Sequence, residues 1–237
     1  MGQVTNRLAL ALASSEATEA VFCWALGVAI REVIEAPAAA AAPDYVRAAL
    51  EAVRAAYEAV ALVMYEAELP VAQQGSSLTD RLDEAMEGAA LAEFAFGTAL
   101  MRWRAEWLSQ GPTGRDAGPR PPMAEFLGTF SDAFVNLIAS DASQCIPRYV
   151  REAISERQRG YYLSSCTLYW ACARCQDPDP LLAVSLPKVL AELSFADFEA
   201  AHALMLWRLQ WRTKWEYALH RSPPVPPKPA GVERTHP

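Results

Sequence analysis

The sequence predicts an all-α protein, a helical bundle of about six to eight helices that ends in a disordered, proline-rich C-terminal tail. Three observations predict this class. Alanine is the dominant residue and shares its stretches with Leu, Glu and Arg, which are good helix formers. Apolar residues recur every three or four positions, as they do on the buried face of a helix. No segment rich in Val, Ile and Thr alternates apolar and polar residues as a half-buried strand does.

Caps and prolines divide the first half of the chain. Asp44 follows a Pro-Ala linker and caps a helix that Pro70 and Gly75 end, because proline cannot continue a helix. Ser77-Leu78-Thr79-Asp80 matches a capping box and opens the next helix. We therefore predict helices over residues 15–35, 44–69 and 77–108, with a short helix over residues 4–12 and a linker over residues 37–43.

The second half follows a flexible loop over residues 110–121, which is rich in Gly and Pro. The loop leaves two organisations open, a single helical domain over residues 1–220 or two halves, 1–109 and 122–220. Ser194-Phe195-Ala196-Asp197 is a second capping box, and Gly160 is a candidate helix break. The predicted helices cover residues 123–140, 147–175, a short stretch after Pro187, and 194–220, and the tail covers residues 221–237.

The charge and the cysteines limit the partners and the compartment. The formal net charge is −7, so the chain lacks the basic footprint that attracts a phosphate backbone, and no nucleic acid is expected as a partner. The five cysteines are an odd number, which predicts reduced thiols in the cytosol. No apolar run reaches the length of about 18 residues that a spanning helix needs. A location in the cytoplasm or at the cytoplasmic face of membranes is expected.

Two short motifs contain metal-ligand residue types without a complete site. Cys172 and Cys175 form a single CxxC at a predicted helix end, whereas a structural zinc site needs four ligands. Glu199 and His202 share one helical face, but a di-metal bundle site needs two such pairs and two further glutamates. We predict no metal and no cofactor. Because no nucleophile elbow, Walker loop or dinucleotide fingerprint is present either, we predict that the chain is not an enzyme.

Three tryptophans, Trp207, Trp211 and Trp215, recur every four residues in the last helix, with Arg208, Arg212 and Lys214 between them. One interpretation is a helix that docks into the core through large side chains, since aromatic residues dominate core packing. The other is an interaction stripe for a partner groove or a membrane surface, where Trp and Arg are both favoured. We carry the stripe as a candidate interaction site.

The tail carries a candidate ligand for SH3 domains. The proline motif fits both binding orientations, because Arg221 precedes it and Lys228 follows it. A polyproline II helix is preformed, so its binding costs little ordering entropy. An inert spacer is the alternative. The residues of the candidate SH3 ligand are Arg221, Pro223, Pro224, Pro226, Pro227 and Lys228.

The N-terminus carries a candidate lipid anchor. Removal of Met1 exposes Gly2, the acceptor of N-myristoylation, although Asn6 stands where the usual pattern has Ser or Thr. One myristoyl chain binds membranes only marginally, so a second contact is needed. Membrane-surface attachment through Gly2 is the expectation.

Met1-Gly2-Gln3, the length and the acidic Ala/Arg-rich composition together resemble the myristoylated tegument proteins of alphaherpesviruses. This resemblance implies a virion tegument location, no catalysis, and contacts with other viral proteins.

Three functions are therefore considered. The first is a non-enzymatic, peripherally membrane-associated structural or adaptor protein, tegument- or matrix-like, which recruits protein partners such as SH3-domain proteins. The alternative is a soluble helical regulator that binds a partner helix, Bcl-2-like or another modulator of a host pathway. The third is an unrecognised helical enzyme with a metal at Glu199 and His202.

Overall fold

A computed structural model describes residues 18–69, 77–109, 121–173 and 180–221, with the backbone alone over residues 172–173, 180–184 and 220–221. These ranges contain six α-helices, two 3₁₀-helices and no strand, which confirms the predicted all-α bundle. The α-helices are α1 (Glu19–Glu35), α2 (Asp44–Glu68), α3 (Leu78–Ser109), α4 (Pro122–Ala139), α5 (Arg148–Ala173) and α6 (Pro180–Arg221); the 3₁₀-helices are Pro37–Ala41 and Asp141–Gln144.

The helices form two antiparallel three-helix units, α1–α2–α3 and α4–α5–α6, in which consecutive helices pack side by side. The units meet at two edges, where α1 packs on α4 and α3 packs on α6. Aromatic rings fill the space between them. Trp103 of α3 lies edge-on to Phe126 of α4 at a centroid distance of 5.2 Å, and Phe130 stacks on Tyr161 of α5 at 4.8 Å. One hydrophobic core thus has members on all six helices.

The chain forms α6 as one helix where the sequence predicted two, so the capping box predicted at Ser194 is wrong. The Ser194 hydroxyl donates to the carbonyl of Leu190 one turn earlier, at 3.0 Å, as a mid-helix serine does. Pro187 lies inside the helix. Its missing backbone donor costs about 3 kcal/mol, and burial of Leu190 and Leu193 against the core offsets that cost.

Two further local predictions differ from the structure. Gly160 does not break α5, which is continuous through it. A Cβ at this position would lie 3.0 Å from the Leu193 side chain and 3.5 Å from its Cα, so glycine allows α5 and α6 to pack closely here. The predicted linker after α1 contains a 3₁₀-helix, Pro37–Ala41. The predicted short helix over residues 4–12, the loop over residues 110–120 and the tail from residue 222 onward lie outside the described residues.

Candidate functional site

The line of contact between α3 and α6 has an unusual polarity, with charged side chains buried beneath it and apolar side chains exposed above it. We call this line the seam. The two helices run antiparallel, and ion pairs cross the seam at three levels. From the N-terminal end of α3 these pairs are Asp83–Arg212, Glu93–Arg208 and Arg104–Asp197.

The central pair, Glu93 and Arg208, is almost completely buried. The two terminal nitrogens of the Arg208 guanidinium donate to the two carboxylate oxygens of Glu93, at 3.2 and 3.0 Å. The Tyr57 hydroxyl of α2 donates a further hydrogen bond to the same carboxylate. Burial raises the pKa of the Glu93 carboxyl, and the Arg208 charge opposes that rise. The guanidinium therefore stabilises the ionised carboxylate against the desolvation that burial imposes.

The second buried pair is the centre of a larger network. Asp197 accepts hydrogen bonds from Arg104 at 3.0 Å, from Arg157 at 2.9 Å and from the Tyr161 hydroxyl at 2.7 Å. Arg104 also donates to the Ser194 hydroxyl at 2.8 Å. All four charged or phenolic groups are buried, and burial raises the pKa of the Tyr161 phenol. One aspartate thus joins α3, α5 and α6.

We infer that these networks favour the observed alignment of the two three-helix units. A slip of α6 by one turn along α3 would separate Glu93 from Arg208 and Asp197 from Arg104. Each buried charge left without its partner costs several kcal/mol, about 3–5 kcal/mol per broken pair. The geometry therefore assigns the buried charges a role in alignment, since apolar side chains alone tolerate small shifts.

Above the charged layer, the solvent side of the seam is apolar. Phe94 and Phe198, one from each helix, are 71% and 61% exposed and would be expected to be buried in a monomer of this size. Further exposed apolar side chains follow at helical spacing along both helices. On α3 they are Leu91 and Met101, and on α6 they are Phe195, Leu206 and Leu209. Large apolar side chains exposed in such number along two neighbouring helices indicate an interaction site.

A groove runs along the middle of this surface. It encloses about 340 Å³; the buried Glu93 and Asp197 and several small residues lie at its base, and large apolar residues line its sides. Gly97 has open space where a Cβ would lie, with no other heavy atom within 4 Å. The lining side chains include Ala90, Phe94, Gly97, Met101, Phe198, Ala201, His202 and Met205. We call this surface, groove and walls together, the seam face.

The tryptophan stripe lies elsewhere and belongs to the core. Trp207 and Trp211 are buried, and Trp207 lies edge-on to Phe22 of α1 at 5.6 Å. The Trp215 indole nitrogen donates to the carbonyl of Ala67 in α2 at 3.2 Å. These contacts agree with the core interpretation, in which the stripe docks α6 onto α1 and α2, and two of the three indoles are not accessible to a partner.

The residues considered as metal ligands show no assembled site. Glu199 and His202 are exposed, and the His202 ring stacks on Phe198 with centroids 6.2 Å apart. Cys23, Cys145 and Cys166 are free thiols. Within the four described ranges no group of three or more His, Cys, Asp or Glu side chains could hold a metal ion. The Cys172 side chain and Cys175 lie outside what the structure describes.

The candidate lipid anchor and the candidate SH3 ligand lie at the two ends of the chain. Gly2 and the tail residues from Pro223 to Lys228 lie outside the described residues, and Arg221 is the last residue of α6. Over the part of the chain that is described, no helix has both the length and the apolar character needed to cross a membrane.

Comparison of the chain with models of protein families, with characterised proteins and with solved structures finds no match. The resemblance to tegument proteins therefore stays a prediction. Function has to be inferred from the seam face itself.

Proposed function

We propose that this chain is a non-enzymatic helical scaffold that recruits a partner protein onto the seam face. The observation that carries the proposal is the exposure of Phe94 and Phe198 side by side over a groove with small residues at its base. Covering such aromatic side chains would remove apolar area from water, at about 25 cal/mol per Å². Aromatic residues around a pocket are also the usual energetic centres of protein interfaces.

A partner protein fits this surface better than a membrane does. Membrane-surface helices carry Lys and Arg beside their apolar face, because anionic headgroups attract them. On the helices that carry Phe94 and Phe198, the exposed carboxylates Glu87 and Glu199 have no ion-pair partner among the described residues, whereas the exposed cation Arg102 is paired with Glu106; the whole chain has a net charge of −7. Both features would oppose adsorption to an anionic lipid surface.

A second copy of the chain fits less well for the same reason. In a symmetric dimer through the seam face, the same patch meets itself, so Glu87 and Glu199 of one copy would approach those of the other. Like charges placed together across an interface cost several kcal/mol. A different protein avoids this repulsion, and it is the occupant that we propose.

Selection of binding peptides with the unacylated full-length chain tests this function. We expect selected peptides to lose binding to a Phe94→Ser/Phe198→Ser variant and to keep it with Tyr162→Ser, which removes an aromatic side chain of similar exposure, 56%, from α5. All three side chains are exposed, so both variants should fold. Selected peptides that bind both variants equally would overturn the proposal.

Two further measurements separate the rival occupants. Sedimentation of the unacylated wild-type chain should show a monomer, and this chain should not pellet with vesicles that contain anionic lipid. Dimerisation, or vesicle binding, that Phe94→Ser/Phe198→Ser abolishes would assign the seam face to a second copy or to a membrane instead.

The lipid anchor at Gly2 and the SH3 ligand in the tail are separate proposals with sequence support alone. A scaffold with an anchor at one end and a recruitment motif at the other would act as an adaptor at a membrane surface. Each signal can be tested without reference to the seam face.

A further inference from the structure

We propose further that the occupant of the seam face is a basic amphipathic α-helix, which lies in the groove between α3 and α6. This inference rests on the proposed function, because it names the partner of the same site. Three features carry it: the shape of the groove, the chemistry of its lining, and the sign of the charges at its rim.

The shape of the groove fits a helix. The groove extends along α3 from Ala90 to Met101, a rise of about 17 Å at 1.5 Å per residue, which equals about three helical turns. The small residues at its base, Gly97 and Ala201 among them, permit a partner backbone to approach closely. The projecting Phe94 and Phe198 then form two walls, one on each helix, between which an apolar stripe can insert.

The chemistry of the lining favours a helix over an extended segment. The backbone groups of α3 and α6 are already paired within each helix in the middle of these elements, so they offer an extended strand nothing to bond. An extended segment buried there would leave its own N–H and C=O groups unpaired, at about 1–3 kcal/mol each. A helix satisfies its backbone internally and presents only side chains.

The rim of the groove is acidic. Glu87 lies two turns before Phe94 on the same stripe of α3, and Glu199 follows Phe198 on α6. Both are exposed, and neither has an ion-pair partner among the residues that the structure describes. The cations on the flanks are already paired, Lys188 with Glu192 at 3.8 Å and Arg102 with Glu106 at 2.7 Å. Lys and Arg beside the apolar stripe of a partner helix would complement this rim.

Defined peptides test the inference. The probe is a labelled amphipathic helix of about 18 residues with Leu at positions i, i+3, i+4 and i+7 and Lys at the flanking positions, a helix-in-groove pattern. One control peptide has Glu in place of Lys, and another has the same composition with two central prolines. Fluorescence anisotropy with the full-length, unacylated chain measures the affinity. We expect the basic helix to bind at least about tenfold more tightly than either control.

Variants of the chain assign the contacts. Gly97→Met fills the base of the groove and should weaken binding of the basic helix about tenfold or more. Glu87→Gln/Glu199→Gln should reduce the affinity several-fold and flatten its dependence on salt, because screening weakens only the ionic contribution. Tyr162→Ser should bind as the wild type does.

Each of the other outcomes would refute a particular part of the inference. Equal affinity for the basic and acidic helices refutes the charge assignment, and tight binding of the proline-containing peptide refutes the helix. If none of these peptides binds while library peptides still map to Phe94 and Phe198, the further inference fails and the proposed function stands. If no library peptide maps to the seam face, the proposed function itself fails.

Discussion

Removal of the guanidinium at Arg208 tests the role that we assign to the buried charges. Arg208→Met keeps most of the side-chain volume but leaves the Glu93 carboxylate buried without its cation, while the Tyr57 hydroxyl still donates to it. Breaking one side of a buried pair costs about 3–5 kcal/mol. We expect the free energy of unfolding to fall by that amount at pH 7, as measured by urea denaturation followed by circular dichroism.

The double variant separates the cost of an orphaned charge from the value of the pair. In Glu93→Leu/Arg208→Met both charges are gone, and replacing a buried pair by apolar side chains is often neutral or stabilising. Tyr57 then loses its acceptor, at about 1–3 kcal/mol. The double variant should therefore be more stable than Arg208→Met alone.

The pH dependence gives an independent signature. Burial already raises the pKa of Glu93 in the wild type, and loss of Arg208 removes the interaction that opposes the rise. The folded form of Arg208→Met then binds a proton more readily than the unfolded chain does, so the penalty shrinks as the pH falls from 7 towards 5. The double variant lacks Glu93 and should show no such recovery.

The Asp83–Arg212 pair provides a matched control on the same seam. Its side chains are 43% and 30% exposed, so water screens the pair and Arg212→Met should cost only about 0–1 kcal/mol. Equal losses for Arg208→Met and Arg212→Met, or a double variant less stable than Arg208→Met, would refute the reasoning that burial makes the central pair critical.

Three further predictions concern other parts of the chain. Burial raises the pKa of Cys23 to about 12, so above pH 9 this thiol loses its proton in the unfolded chain before it does in the folded one. The free energy of unfolding should therefore fall by up to about 1.4 kcal/mol per pH unit above pH 9, and by less in Cys23→Ala. Mass spectrometry of the chain from a eukaryotic host should find a myristoyl group on Gly2, and a free or acetylated terminus would remove the anchor. Pro224→Ala/Pro227→Ala should abolish binding of the tail to an SH3 domain, if a domain that binds the wild-type tail is found by array screening.

The fold was largely predictable because local signals and burial agree over most helices. In α2, Val46, Leu50, Val53 and Tyr57 lie on one stripe and all are buried. The end of α2 at Glu68 and the start of α3 at Leu78 fall where prolines and a capping box predicted them. The local sequence signals and the structure disagree within α6, where Pro187 and Ser194 predicted a helix boundary that tertiary contacts override. The sequence cannot show that Leu190 and Leu193, which lie between them, are buried.

The candidate site was not predictable in the same way, because the seam inverts the usual relation between polarity and burial. By residue type alone, Phe94 and Phe198 are expected inside and Glu93 and Arg208 on the surface, and the structure has the reverse. The signal that was missed is the width of the apolar stripe on each of these helices. Apolar residues on α3 and α6 cover more of the helix circumference than packing against a single core can bury. A second apolar stripe on a helix of a bundle indicates a second surface to cover.

The buried charged layer of the seam and the exposed apolar layer above it are linked in their effect. Helices joined only by apolar contacts could shift or separate to bury Phe94 and Phe198 against each other, which would close the groove. We infer that the buried ion pairs at Glu93 and Asp197 favour the observed register, because a shifted register would leave a buried charge without its partner. The free-energy cost of breaking those pairs therefore keeps the apolar walls apart and exposed. A partner that inserts between the walls meets a preformed site, so its binding requires little reorganisation of the chain.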